Sequence, residues 1–523
     1  MGSPWPCEGD LDPFCSASGT GLNEPMRRPS FLLAFLLSCV LAQPVYLRLP
    51  LALLEGRREG EALAFYGLPY ARAERFAPPK GVALEGFIQA TRPGFACPQT
   101  PGITTRFGGW LPPQEEDCLN LNVFLPLKPP PPGGFPVMVY LHGGGFQAGS
   151  ASEPIYRGTR LAAEGGVVVA PNYRLGPLGF LPWEGGGNYG LEDVLEALRF
   201  VRKSIGFFGG NPGNVTLFGE SAGAMLTCTL LAVPEAKGLF HKAILQSGGC
   251  EEVRPLPADL PFGRRYAKER GCEDLACLRG LPLSAFYKEP PVLTLEASSL
   301  PFSLNPFKPH IDGHLLPRSP LQALREGVAA GIPLLLGSNE EEMLPFFSLS
   351  PPRSWPGVEE RVKPTLKEKT AAVLSFYRAR YPRPEEAYWR LETDRLFHCP
   401  ALATAQAQGP YAPTYLYRFA FRTPDFPGLG SFHGLELAPL FGNFDQMPFL
   451  ALFLSQKARE EGERMGRILR RYWVNFAYQD APKGWPRWEE IQEGMALLLD
   501  LPPRPLPLSA LDPGSCALFE GSR

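Results

Sequence analysis

Six short, mostly apolar runs punctuate the chain, at 135–141, 167–170, 215–218, 243–246, 332–336 and 414–419. Most are bounded by glycine, proline or asparagine, and none shows the apolar–polar alternation of a strand with one wet face. Continuous apolar runs of this length predict strands buried on both faces, as in a parallel sheet. Between them, 187–210, 224–232 and 458–473 carry helical periodicity. In the last of these Met465, Ile468, Leu469, Tyr472 and Trp473 share one face. Residues 355–408 are helical in composition and rich in aromatics. Residues 43–65 alternate instead, which predicts a small N-terminal antiparallel hairpin. Residues 251–330 read as irregular and proline-rich. The pattern is that of an α/β protein: a large, mostly parallel central sheet flanked by helices.

The first 42 residues differ from the rest. Met26-Arg27-Arg28 opens a basic stretch, 31–41 is apolar, and Ala42 precedes a cleavable position at Gln43. This reads as a secretory signal peptide over 26–42, because the apolar run is too short for a membrane span. Residues 1–25 lack signal character and read as an extension upstream of the true start at Met26, leaving 43–523 as a single catalytic domain. Leu36-Leu37-Ser38-Cys39 offers a competing lipoprotein cleavage site. Export makes disulfides permissible. Of eleven cysteines, Cys7, Cys15 and Cys39 precede Gln43. A net charge of −2 excludes the basic footprint of a nucleic-acid binder. No histidine–cysteine spacing suits a metal, so no metal and no organic cofactor is expected.

The candidate chemistry lies where the 215–218 run meets Gly219-Glu220-Ser221-Ala222-Gly223 and then a helix. A G-x-S-x-G turn between strand and helix is a nucleophile elbow, with the serine pushed out over the sheet edge. The helix that follows aims unpaired amides and its positive end at charge developing there. The 135–141 run likewise empties into His142-Gly143-Gly144-Gly145-Phe146, bare backbone suited to holding an oxyanion. A serine needs a base, and the base an orienting acid, both later in the chain in this order of elements. Of six histidines, only His398 and His433 follow the candidate acid loop after 332–336. His398 sits in a helical setting and reads as a packing or capping residue. His433 lies in a glycine-flanked loop after the 414–419 run, where a base belongs. The acid loop offers Glu340, Glu341 and Glu342.

With the preceding FGGNPGNVT, the block 208–224 resembles the serine signature of the type-B carboxylesterases, the family of carboxylesterases and cholinesterases. EDCLNLNVFLP at 116–126 is similar to the family's second signature, with Asn120 in place of a commoner aromatic. FYGLPYA (65–71), PNYRLGPLGFL (171–181), IDGHLLP (311–317) and FHGLELAPLFGN (432–443) add to the likeness, which looks closest to the bacterial para-nitrobenzyl esterases. Val194 and Phe200 stand where the family has glutamine and tryptophan.

The resemblance implies an α/β-hydrolase fold and a catalytic set of Ser221, Glu342 and His433. Gly144 and Gly145 match the family's oxyanion donors beside the amide of Ala222. Glu342 matches the family's acid as the last carboxylate of its run, although Met343 replaces the usual glycine; Glu341 competes with it, and Glu340 reads as a solvated turn residue. Glu220 reads as a buried structural carboxylate or as a modest electrostatic partner of His433. The family's first disulfide matches Cys97 and Cys118, and Cys272 with Cys277 is a second candidate pair. By position Phe302, Ser303 and Asn305 line an acyl pocket, and Trp110 sits at a pocket rim or merely packs. The expected activity is hydrolysis of small carboxylic esters of short-to-medium acyl or aryl type, through an acyl-enzyme, by an exported protein favoured as a monomer. A lipase, a carbamate or amide hydrolase, a detoxifying esterase, or a non-catalytic interaction protein on the same fold are the alternatives.

Overall fold

The computed structural model describes residues 44–99, 110–287, 306–343, 351–446, 453–479, 485 and 495–519. The signal segment 26–42 and the pocket candidates Phe302, Ser303 and Asn305 lie outside the described residues.

Among the described residues thirteen strands form one sheet. In chain order its main path uses β1 (Pro44–Arg48), β2 (Ala52–Glu59), β3 (Ala62–Pro69), β4 (Asn120–Pro126), β5 (Phe135–Leu141) and β6 (Val167–Pro171). It continues with β7 (Gly210–Glu220), β8 (Lys242–Gln246), β9 (Leu334–Asn339), β10 (Thr414–Phe419), β11 (Met495–Leu499) and β12 (Arg504–Pro507). The spatial order is β1-β2-β3-β4-β6-β5-β7-β8-β9-β10-β11-β12. The short strand Gly86–Gln89 pairs with β2 off that path. From β6 to β11 every pairing is parallel, and the two ends are antiparallel.

The parallel strands are mostly apolar because both faces are covered. Val215, Leu217, Ala243, Leu245, Leu334 and Leu336 point into one core. Their neighbours Phe218, Ile244 and Leu335 point into a second core with Leu469, Trp473 and Phe476 of the helix Gln456–Gln479. Period-two side-chain direction splits each run between two layers, so neither face needs polar residues.

The chain reverses its direction of travel across the sheet between β5 and β7. From β5 it steps outward to β6, then returns through the helix Tyr189–Ser204 to β7 on β5's other side. Loops leaving the carboxyl ends of β5 and β7 therefore part around a crevice, the place where open α/β sheets bind ligands. The glycine run 143–145 and Ser221 both sit at that crevice.

Several elements differ from the sequence reading. Three antiparallel strands replace the N-terminal hairpin, and they join the main sheet through β3 and β4. β7 begins at Gly210, with a register irregularity before Val215 that absorbs the Asn-Pro-Gly-Asn insertion. Residues 251–330 are not irregular throughout: they include the helices Leu256–Lys268, Leu275–Gly280 and Pro320–Arg325. Prolines at the first or second helical positions of Leu256–Lys268 and Pro320–Arg325 are compatible with helix, since those amides have no intrahelical partner. No helix among the described residues is long and apolar enough to cross a membrane.

Cys97–Cys118 and Cys272–Cys277 are joined as disulfides. Two further bridges, Cys228–Cys250 and Cys399–Cys516, were not anticipated. Both link segments whose proximity only the folded sheet creates.

Candidate active site

Ser221 stands at the end of β7 with φ 55° and ψ −124°, a strained conformation for a residue with a side chain. Such a backbone costs about 1–3 kcal/mol and persists only when its surroundings enforce it. Here its amide donates to the Gln246 carbonyl at the tip of β8 (2.9 Å), and its carbonyl accepts from Met225 in the next helix (3.0 Å). A side chain at position 223 would place its Cβ 2.0 Å from the Leu141 carbonyl oxygen, so the second elbow glycine lets the helix Ala222–Leu230 press against β5. Ala222 is the first residue of that helix, and its N–H has no partner within it.

The triglycine loop meets the elbow from the β5 side. A Cβ on Gly143 would lie 3.1 Å from the Ser221 Cβ. Gly144 has φ 108° and a Cβ there would meet the Ala148 carbonyl at 2.0 Å, so this turn accepts only glycine. Gly145 and Phe146 also have positive φ. His142 stacks on Tyr173 with ring centroids 4.5 Å apart, and its Nδ1 is 2.8 Å from the Gly143 carbonyl. Burial lowers its pKa to about 4, so the ring is neutral and serves as a prop for the loop.

His433 lies on the loop after β10. Its Nδ1 is 2.7 Å from Glu342 Oε2, and its Nε2 is 3.1 Å from Oε1 of Glu220, the residue before Ser221. One edge of the ring thus engages the acid and the other faces the elbow. The Phe397 ring packs on it, centroids 4.9 Å apart. Glu342 is fully buried, and its second oxygen accepts from the Asn339 amide at 2.7 Å. Both carboxylate oxygens are therefore engaged, which locks the acid toward the imidazole.

The three consecutive glutamates have three different jobs. Glu341 accepts from the Ser431 amide (2.7 Å) and pairs with Arg422, which ties the acid loop to the histidine loop. Glu340 pairs with Arg390 and Arg418, each at 3.1 Å, and so is not the solvated turn residue expected. Burial opposes its charge, but Arg418 and then Arg390 outweigh that and hold its pKa at about 2.

Two more buried carboxyl groups flank the imidazole. Glu220 has no aligned hydrogen-bond partner at Oε1 despite the proximity of His433. Burial first, then Glu436 and Glu342, push its pKa up to about 8 against the pull of His433. Glu436, outside the expected catalytic set, accepts from Asn339 Nδ2 (2.6 Å) and Gln246 Nε2 (3.3 Å). Burial and then Glu342 raise it to about 7. Burial alone would lower the pKa of His433. Glu220, the bond to Glu342 and the remaining carboxyl charge overcome this and raise it to about 9. Only spatial proximity reveals what Glu436 and Asn339 do in the site.

Of the other candidates, Trp110 is half-exposed, at 50%. His398 is buried, and belongs to a π-turn, Asp394–His398, behind the acid loop. Among the described residues no cluster of His, Cys, Asp and Glu could hold a metal.

An arrangement of a strained serine, an imidazole clamped by a buried acid and a glycine loop at one sheet edge suits acyl transfer. Comparison with known proteins agrees. The sequence profile of the Carboxylesterase family matches residues 43–509. The para-nitrobenzyl esterase of Bacillus subtilis (strain 168) is 37% identical over 462 residues, covering 85% of this chain and 92% of that protein. The fumonisin B1 esterase of Sphingopyxis macrogoltabida is 33% identical, covering 84% and 83%. A solved PNB esterase superposes with a TM-score of 0.76 at 33% identity over 90% of this chain and 98% of that one. The Geobacillus stearothermophilus carboxylesterase EST55 gives 0.76 at 30% identity over 91% and 100%. The chain belongs to the carboxylesterase family and has its α/β-hydrolase fold.

Proposed function

We propose that this protein is a serine carboxylesterase that hydrolyses small carboxylic esters through an acyl-enzyme. Ser221 Oγ attacks the ester carbonyl while His433 Nε2 takes its proton. Glu342 holds the imidazole in the tautomer whose Nε2 can accept a proton, and stabilises the imidazolium that forms. The oxyanion is received by the amides of Gly144, Gly145 and Ala222, each such donor contributing about 10²–10³ in rate. His433 then protonates the departing alcohol, and water enters by the same route to release the acid. The observation that carries this reading is the clamp on His433: its Nδ1 on Glu342 at 2.7 Å, with Nε2 turned toward the residue adjoining Ser221.

Similarity to para-nitrobenzyl esterases favours short-to-medium acyl and aryl esters as substrates, with Phe302, Ser303 and Asn305 near the acyl group and Trp110 at the rim. The segment 26–42 acts as the export signal, and the four disulfides fit a protein that matures outside the reducing cytoplasm. The mature enzyme begins at Gln43 and works as a monomer.

A fluorophosphonate probe followed by peptide mapping tests the reading. Labelling is expected on Ser221 alone, and Ser221→Ala is expected to remove both labelling and about 10⁶ of the rate on a para-nitrophenyl ester. An unlabelled wild-type protein, or ester hydrolysis surviving in Ser221→Ala, would defeat it.

A further inference from the structure

Behind the acid loop lies a second histidine–carboxylate pair. His398 Nδ1 is 2.7 Å from Asp394 Oδ1, and His398 Nε2 is 2.9 Å from the backbone carbonyl of Asn339. Asn339 ends β9 and is the hub of the site described above. Its amide holds Glu342 (2.7 Å), and its side-chain nitrogen holds both the Phe432 carbonyl (2.7 Å) and Glu436 (2.6 Å). Phe432 precedes His433 in the chain. A shift of Asn339 would therefore displace the acid, the loop bearing the base and a flanking carboxyl group together.

We propose that His398 is a positioning residue for ester hydrolysis, acting through Asn339 to set the geometry of Glu342 and His433. The proposal rests on the reading of Ser221, Glu342 and His433 as the working triad. Its physical basis is the donor at Nε2. The Asn339 carbonyl is only an acceptor, and the bond to it ties the π-turn to the hub. The next residue back, Phe397, packs on the His433 ring, so the same turn supports the acid from below and the base from the side. A π-turn, rare in helices, sets two successive side chains against these two targets.

Asp394 in turn anchors the ring. It accepts from Tyr377 Oη (2.7 Å) and pairs with Arg390 (2.9 Å), while Arg390 and Arg418 share Glu340. Both ring nitrogens of His398 face acceptors, so both bonds form together only on the doubly protonated ring. Burial and the Arg418 guanidinium work against that charge and lower the pKa of His398. A neutral ring keeps one of the two bonds, and the proposal requires that it be the one from Nε2 to the Asn339 carbonyl.

Two amide replacements separate the two bonds. The nitrogen of glutamine can stand where Nε2 stands and restore the bond to Asn339; that of asparagine reaches only the Nδ1 position and Asp394. His398→Gln, His398→Asn and His398→Leu are compared for kcat and KM on a para-nitrophenyl ester, with thermal unfolding as a check on folding. His398→Gln is expected to stay within about threefold of wild type in kcat. His398→Asn and His398→Leu are expected to lose about ten- to a hundredfold in kcat, with KM little changed, as for catalytic groups misplaced by an ångström or less. Equal kcat in the Gln and Asn variants, or a folded Leu variant with wild-type kcat, would overturn the proposal. So would the failure of all three to fold, which would make the ring a strut of the core. Ser221→Ala, assayed alongside, separates this failure from a failure of the triad: if it stays active, the triad reading itself is wrong.

Discussion

One imidazole meeting three buried carboxyl groups is the central electrostatic fact at the scale of single residues. Glu342 orients His433, while Glu220 and Glu436 add negative field; both oxygens of Glu436 accept side-chain hydrogen bonds, whereas Glu220 Oε1 has no aligned donor. A raised pKa means that His433 holds its proton to about pH 9, so the base form is scarce at lower pH and grows as pH rises. The Glu220 charge gives the largest pull raising the histidine pKa, so removing it lowers that pKa. Glu220→Gln is expected to move the acidic limb of the kcat/KM profile to lower pH by about one to two units. Rate measurements from pH 5 to 10 on wild type and variant decide this, and an unmoved limb would mean that the Glu220 charge does not reach the base. Ser221 and His433 could be picked out from residue type and chain order alone. The division of labour among Glu340, Glu341 and Glu342 could not, because three identical neighbours differ only in where the turn after β9 points them.

Glu340 binds elements together. It links the end of β9 to Arg418 on β10 and to Arg390 on the helix Pro384–Thr393, directly behind the acid loop. Its pKa is depressed from 4.5 to about 2, so its stabilisation is fully present above pH 4.5 and is lost as pH falls toward 2. Glu340→Gln is accordingly expected to lower the unfolding temperature near pH 7, with the gap from wild type closing between pH 4.5 and 2. Thermal unfolding across that range checks it; a gap independent of pH would mean the pair contributes through packing rather than charge. The strands of the parallel core were legible because burial on both faces leaves only apolar residues to choose from. The helices of 251–330 were not, since prolines that read as breaks sit mainly at helix starts. Strands β11 and β12 also escaped notice, being short edge additions whose pairing depends on the sheet already present.

Across the whole molecule, disulfides join parts that sequence distance keeps apart. Cys399–Cys516 closes 117 residues and fastens the C-terminal segment to the helix that follows His398, whereas Cys272–Cys277 closes five. Loop-closure entropy ranks them: removing the first pair by serine replacement is expected to cost about 5 kcal/mol and the second about 2 kcal/mol. Urea unfolding of the two double variants measures the difference, and a reversed order would show that local strain, not chain entropy, sets their worth. Cys228–Cys250 fastens the helix behind Ser221 to the loop after β8, where the Cys250 amide meets Thr404 at 3.3 Å.

By itself the sequence determined the alternation of buried strands and helices, the elbow, the glycine loop and the order serine, acid, histidine, because each is a local requirement of burial or backbone geometry. Tertiary structure decided which carboxylate meets the imidazole, that Glu220 and Glu436 crowd it, that Asn339 gathers the acid and base loops, and which distant cysteines pair. Those outcomes depend on distances between strands far apart in the chain, and a residue's own neighbours carry no record of them.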